Sequence, residues 1–197
     1  LSRKDDLVKW ADRGLRLAGY REQRVLLILG VTGLRRQAHH ALADVITICK
    51  KHHGFFTGEV IGKIWRKSRF LTPYLRNTLW ARGYAIDTLE TALPWSQVLA
   101  AAPAIKASIA QALANEGERG LVFSHLSHVY RDGASIYTTY LFRLAADPVE
   151  SLARWQAMKH AASQTILEYG GTISHQHGVG VDHAQYLQAE KGSLGIK

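Results

Sequence analysis

The stretch GGTISHQHGVGVDH, residues 170–183, sets His175, Gln176 and His177 between a Gly-Gly pair and a Gly-Val-Gly run. Imidazole titrates near neutrality and can donate, accept or move a proton. In an extended segment residues i and i+2 point to the same side, which would turn both rings toward one cavity. The flanking glycines would let the backbone approach a planar ligand closely. A metal ion would need a third ligand. Neither an HExxH pattern nor a cysteine partner accompanies the pair, and the pattern assigns no place to His125, His128 or His183, so no metal site is expected. The stretch reads equally as a catalytic or cofactor-contacting loop and as a polar surface loop with incidental histidines.

Three other residues carry chemistry. Tyr137, in GASIYTTYLF, stands in the middle of an apolar strand and by itself reads as a core aromatic with its hydroxyl on a backbone carbonyl. Arg76, in PYLRNTLW, follows Pro73 on a helix. It reads as a solvated or ion-paired helix residue, or as a planar fork gripping a phosphate or carboxylate. Glu90, in DTLETALPW, could pair with such an arginine. The pairs His39-His40 and His52-His53 fall in or at the end of a basic helix, where consecutive side chains diverge by about 100°. They are assigned to the surface.

The elements that must position these residues follow from periodicity and punctuation. Residues 5–18 put Leu7, Trp10, Ala11 and Leu15 on one helical face. RVLLILGV, residues 24–31, reads as a buried strand, and RRQAHHALADVITICKKHH as a helix closed by Gly54. The stretch from Glu59 to Gly83 looks helical on both sides of Pro73, with a break near Thr72. Residues 84–93 suit a strand of imperfect alternation, and an alanine-rich helix with Pro103 inside it follows. GLVFSHLSHVY and GASIYTTYLFRL form a hairpin around Asp132-Gly133. A further helix takes Asp147 as N-cap, Pro148 as its first residue and Gly170 just past its end. TIS, residues 172–174, reads as a short strand, and a last helix starts at Asp182. This order predicts an α+β fold, an antiparallel or mixed sheet with ferredoxin-like elements and helices packed on it. GVTG, residues 30–33, is a strand-to-helix turn and neither a dinucleotide fingerprint nor a phosphate loop.

A chain of 197 residues, 47% hydrophobic, can bury a sizeable core, and a single domain is expected. The net charge of +9 favours an anionic partner: phosphate, nucleic acid or lipid surface. A basic nucleic-acid-binding domain is the non-enzyme alternative. It is disfavoured because the aromatics lie in apolar patterns and do not alternate with Lys and Arg on one strand face. The single cysteine, Cys49, excludes an internal disulfide and is expected to be a small buried apolar residue. No run of about 18 apolar residues is present, so no membrane span is expected. The chain opens on LSRKDDL, without methionine or apolar signal core, and stops at KGSLGIK, as expected of a piece of a longer protein.

Five stretches, taken together and in order, carry a family resemblance. They are TGEVIG (57–62), PYLRNTLWARGY (73–84), DTLETALPWSQV (87–98), SHVYRDGASIYTTYLF (127–142) and YGGTISHQHGVG (169–180). The chain resembles the C-terminal part of FAD-linked oxidases of the vanillyl-alcohol oxidase type, and within them the alkyldihydroxyacetonephosphate synthases and their bacterial relatives. The resemblance implies that residues 1–197 are a cap domain that covers the flavin and builds the substrate cavity. FAD would be held mainly by an N-terminal domain of the same polypeptide, outside this chain. The family's catalytic tyrosine falls on Tyr137 and its phosphate-binding arginine on Arg76. His175 and His177 match the first and third of three consecutive histidines, and Gln176 replaces the second. His175, Gln176 and His177 would contact the cofactor.

The implied activity is flavin-mediated exchange of an acyl for an alkyl chain on a dihydroxyacetone phosphate ester, a step of ether lipid synthesis. Glutamine carries no proton. Gln176 therefore leaves open an FAD-dependent dehydrogenase of a 2-hydroxy acid or polyol phosphate, similar to glycolate or D-lactate oxidases. A cytoplasmic location and a homodimer are compatible with the resemblance. IWRKSRFL, residues 64–71, reads as a solvated helix face or as peripheral contact with a membrane surface.

Overall fold

The computed structural model describes residues 3–21 and 24–196, and within the first helix the side chains of residues 9, 10 and 12–17. The chain divides into two compact units, one up to Leu71 and one from Thr72 onward.

The first unit holds α1 (Arg3–Leu17), α2 (Arg35–Lys51) and α3 (Val60–Ser68). α2 stops as expected near Gly54, but the left-handed residue is His53, at φ 60°. The Gly54 amide donates to the Cys49 carbonyl at 2.7 Å, and a Cβ on Gly54 would stand 2.8 Å from that oxygen. Gly54 is therefore needed for close approach, while His53 carries the conformational cost. RVLLILGV departs from its predicted strand. Residues 24–32 have no regular structure, and Val25 is 92% exposed. The described elements of this unit are helices, so no neighbouring strand receives these backbone groups. Cys49 is only half-buried, because α2 has no buried residue. On α1, Trp10 is exposed, while the side chains of Leu7 and Ala11 lie outside the described residues. α3 exposes Val60, Ile64 and Trp65 and carries Lys63, Arg66 and Lys67.

The second unit is α+β. The expected break falls at a 3₁₀ turn, Thr72–Tyr74, before α4 (Leu75–Trp80). β1 (Tyr84–Pro94), β2 (Leu121–Val129) and β3 (Gly133–Arg143) form an antiparallel sheet in the order β1-β3-β2. The β2–β3 hairpin turns at Arg131-Asp132, where the Tyr130 amide donates to the Gly133 carbonyl at 2.8 Å. Gly133 is obligatory for a second reason: a Cβ there would lie 2.1 Å from the Leu93 carbonyl oxygen of β1.

One face of the sheet is covered by α5 (Trp95–Asn115) and α6 (Pro148–Glu168), with Leu89, Leu93, Ile105, Ile109, Ile136, Tyr140, Met158 and Ile166 in the core. α5 is the one element among the described residues that bears on the expectation drawn from run length. It is long and apolar enough on average to cross a membrane, with a mean hydropathy of 1.2. It nevertheless buries Val98, Ala101, Ile105, Ile109 and Leu113, as a core helix does. α6 begins as predicted, the Asp147 carboxylate accepting from the Val149 amide at 2.8 Å with Pro148 in the first turn. Gly170, at φ 69°, follows its end. The predicted last helix is split into α7 (Gly180–Ala184) and α8 (Leu187–Lys191).

The helix-covered face contains one charged cluster. Tyr140 Oη and Trp155 Nε1 donate to Asp87 Oδ2 at 2.8 and 2.7 Å, and Lys159 Nζ lies 3.2 Å from the same oxygen. Burial pushes the Asp87 carboxyl up, but the Trp155 bond, the Lys159 charge and the Thr88 and Tyr140 donors outweigh it and leave it below the usual range.

Candidate active site

The opposite face of the sheet carries the candidate site residues. Glu90 on β1 pairs with Tyr137 on β3, and His125 on β2 pairs with the same tyrosine. Directly opposed residues share a face, so the three form a row across all the strands. The Tyr137 ring stacks on His125 with centroids 5.1 Å apart.

His128 reaches this face through a bulge. Residues three apart on a regular strand point to opposite faces. Leu126 lies opposite Ile136 and Val129 opposite Ala134, so β2 uses one residue more than β3 over this span. The shift returns His128 to the side of His125. Its amide donates to Ser135 Oγ at 2.9 Å, and its Nδ1 stands 3.2 Å from Glu90 Oε1 and 3.3 Å from Ser135 Oγ.

The histidine loop arrives around the outer edge of β1. An edge strand has free amides and carbonyls, and here they are partly taken. The Thr172 amide donates to the Ala92 carbonyl at 3.2 Å and the His175 amide to the Glu90 carbonyl at 3.0 Å. The Ala92 amide donates to Thr172 Oγ1 at 2.9 Å. These contacts span three residues of the loop against two of β1, a mismatch that keeps TIS from forming the predicted strand. Gly171 allows the approach, since a Cβ would meet Thr91 Oγ1 at 2.5 Å. Gln176 then adopts φ 60° and reverses the chain. His175 and His177 therefore reach one group as the sequence led us to expect, through a left-handed turn and not an extended segment.

That group is Glu90. It is 4% exposed, because the loop covers the face that its strand would otherwise present to water. His175 Nδ1 lies 3.2 Å from its Oε1, and His177 Nε2 lies 3.4 Å from its Oε2. His175 Nε2 contacts the Tyr130 hydroxyl at 3.0 Å. The His177 ring meets Tyr137 edge-on at 5.6 Å. Burial pushes the Glu90 carboxyl up, yet hydrogen bonds from Ser135, His128 and His175 and the charge of His175 hold it below the usual carboxylate range. Tyr137, half-buried, makes no hydrogen bond through its hydroxyl among the described residues, so the backbone-carbonyl reading fails.

The structure thus joins Tyr137, His175 and His177, leaves Gln176 exposed at the turn, and does not bring Arg76 to them. Arg76 lines a separate cavity of about 680 Å³ with Trp80, Asp87, Phe142, Trp155 and Asp182. The suggested Arg76–Glu90 pair is not formed, since Glu90 is enclosed by imidazoles on the other face. Sequence reasoning missed Glu90 as the hub, and His125, His128 and Tyr130 as neighbours. One signal for His128 was present: the apolar residues of β2 run from Val122 and Leu126 to Val129, a change of phase that marks a bulge.

Fold and site together define a class. The chain matches the family model of FAD linked oxidases, C-terminal domain, over residues 6–197, and it belongs to that family, whose cofactor is FAD. Its relatives include an alkyldihydroxyacetonephosphate synthase of Trypanosoma brucei brucei, 24% identical over 171 residues, 87% of this chain and 28% of that protein. Another, from Dictyostelium discoideum, is 26% identical over 162 residues, 82% of this chain and 26% of the relative. The chain therefore spans about a quarter of the length of these synthases. A solved alkyldihydroxyacetonephosphate synthase in P212121 shares the fold with a TM-score of 0.57 at 19% identity, over 80% of this chain and 28% of that one.

Proposed function

We propose that the chain is the substrate-binding and catalytic cap domain of an FAD-dependent enzyme resembling alkyldihydroxyacetonephosphate synthase. Its reaction would exchange the acyl chain of a dihydroxyacetone phosphate ester for an alkyl chain. The observation that carries this reading is the gathering of Tyr137, His175 and His177 around one buried carboxylate, Glu90. An FAD-binding domain of the same polypeptide is part of the proposal.

The residues present suit a flavin. Tyr137 is half-buried, and the His177 side chain is 39% exposed, so they form a polar wall left partly open. Gln176 is exposed beside them. Tyr137, Gln176 and His177 are the residues that would meet the cofactor, which when bound supplies the electron-pair sink of the reaction. Tyr137 moves the proton at the substrate carbon next to the ketone, its hydroxyl having no competing partner within the described chain. A free phenol titrates near 10, so the proton needs a neighbour that exchanges it near neutrality. His177, in ring contact, is placed to serve. Glu90 stays ionised and holds the imidazoles in place. Arg76 has no hydrogen-bond or ion-pair partner among the described residues and is assigned to the substrate phosphate on the resemblance alone.

The test uses the FAD-loaded full-length enzyme with an acyl dihydroxyacetone phosphate and a fatty alcohol. The expected result is the alkyl product, with the flavin oxidised over a complete cycle. Anaerobic bleaching of the flavin by a 2-hydroxy acid or a polyol phosphate, without alkyl product, would replace this reading by the dehydrogenase that Gln176 leaves open.

A further inference from the structure

We infer that Tyr130, His175 and Glu90 form a second acid–base unit, whose phenol takes up the proton of an alcohol oxygen. The inference rests on the exchange proposed above and names the group that serves its second proton transfer. Glu90 carries a phenol–imidazole pair on each of its two oxygens. Oε2 faces His177, whose ring meets Tyr137. Oε1 faces His175 Nδ1 at 3.2 Å, and His175 Nε2 stands 3.0 Å from the Tyr130 hydroxyl. The second pair is the better connected. Its phenol is hydrogen-bonded to its imidazole, while the Tyr137 hydroxyl has no such bond among the described residues.

The direction of these bonds follows from the acceptor. Folding holds the Glu90 carboxyl below the usual range, and an ionised carboxylate only accepts. His175 Nδ1 therefore carries the ring's proton, and in the neutral ring Nε2 is left to accept from the phenolic O–H. A hydroxyl, an imidazole and a buried carboxylate in that order activate the hydroxyl: the imidazole takes a proton, and the carboxylate orients and stabilises the imidazolium. Tyr130 is built into place. Its amide donates to the Gly133 carbonyl at 2.8 Å, its carbonyl accepts from Trp95 Nε1 at 3.2 Å, and its ring stacks along that of His128 with centroids 6.4 Å apart. Tyr130 is 46% exposed, whereas the His175 and Glu90 side chains behind it are 15% and 3% exposed. The relay has one open end, and that end is the phenol.

Exchange of an acyl for an alkyl chain makes two proton demands. One is at the carbon next to the ketone and falls to Tyr137. The other is at oxygen. The bond from that carbon to the acyl oxygen breaks, its electron pair leaving on the fatty carboxylate. The O–H bond of the fatty alcohol breaks as its oxygen joins the same carbon. The alcohol's proton passes to the Tyr130 oxygen while the phenol's own proton passes to His175 Nε2. The imidazolium later returns it through the same phenol to water, and no net oxidation occurs.

The test separates the two demands in the FAD-loaded full-length enzyme. A fatty alcohol brings a proton that must be removed. An isotopically labelled fatty carboxylate, entering in place of the acyl chain already present, brings none. Tyr130→Phe should lower alkyl transfer from the alcohol by about 10²-fold and leave carboxylate exchange within about threefold, whereas Tyr137→Phe should lower both. The substitution at Tyr130 keeps the ring, and circular dichroism with FAD content on the same samples checks that each variant is folded and loaded. In folded, loaded Tyr130→Phe, an equal fall of both rates, or no fall in either, would overturn the inference. Failure of the parent to catalyse either reaction would instead overturn the proposed function, and this inference with it.

Discussion

β1 and β3 carry two carboxylate–tyrosine pairs, Asp87 opposite Tyr140 and Glu90 opposite Tyr137, on opposite faces of the same sheet. On the helix-covered face the phenol donates to the carboxylate, and burial together with the Asp87 charge drives its pKa far up. Trp155 and Lys159 complete that cluster. The cluster serves as a polar anchor inside a packed layer. On the other face the carboxylate is taken by Ser135 and three histidines, and the phenol has no hydrogen-bond partner among the described residues. The same pairing geometry thus gives structure where phenol and carboxylate bind each other, and a candidate reactive site where the carboxylate binds imidazoles and the phenol stays reachable.

This contrast can be broken most easily at Asp87. Asp87→Ala leaves a tryptophan N–H, a phenol and an ammonium without their common acceptor, and should cost about 3 kcal/mol in chemical denaturation. A loss below about 1 kcal/mol would mean that the cluster is not an anchor. A smaller effect follows from acidification. Asp87 and Glu90 both have carboxyl pKa values lowered by folding. Their contribution is fully present above the unfolded values, about 4, and is lost as pH falls through the lowered folded values. Urea unfolding at pH 5 and pH 3 should therefore show a stability drop that shrinks in Asp87→Asn and in Glu90→Gln. An unchanged drop in both variants would contradict it. The smallest effect sharpens the comparison. Tyr140→Phe should cost about 1 kcal/mol, whereas Tyr137→Phe should leave stability within about 0.5 kcal/mol, because no group among the described residues uses its hydroxyl.

Local chemistry made part of this legible. Asp132-Gly133 fixed the hairpin, Asp147-Pro148 and Gly170 bounded α6, and the resemblance picked Tyr137, His175 and His177. What stayed hidden is non-local. Glu90 becomes buried only because a loop from beyond α6 folds over it, and no pattern within DTLETALPW shows that. His128 depends on a one-residue slip between paired strands, which changes its face without changing its strand. Residues 24–31 have a strand's composition, yet a strand forms only where a neighbour accepts its backbone bonds. α5 shows the converse: an apolar 21-residue helix is a span or a core element according to what it packs against.

The most direct measurement is turnover of the FAD-loaded full-length enzyme carrying Tyr137→Phe or His177→Ala, with flavin content determined on the same preparation. Expected is a fall of about 10²–10⁴ in kcat at unchanged FAD occupancy for each variant. Near-parental turnover in both would contradict the assignment of this face of the sheet as the reacting one.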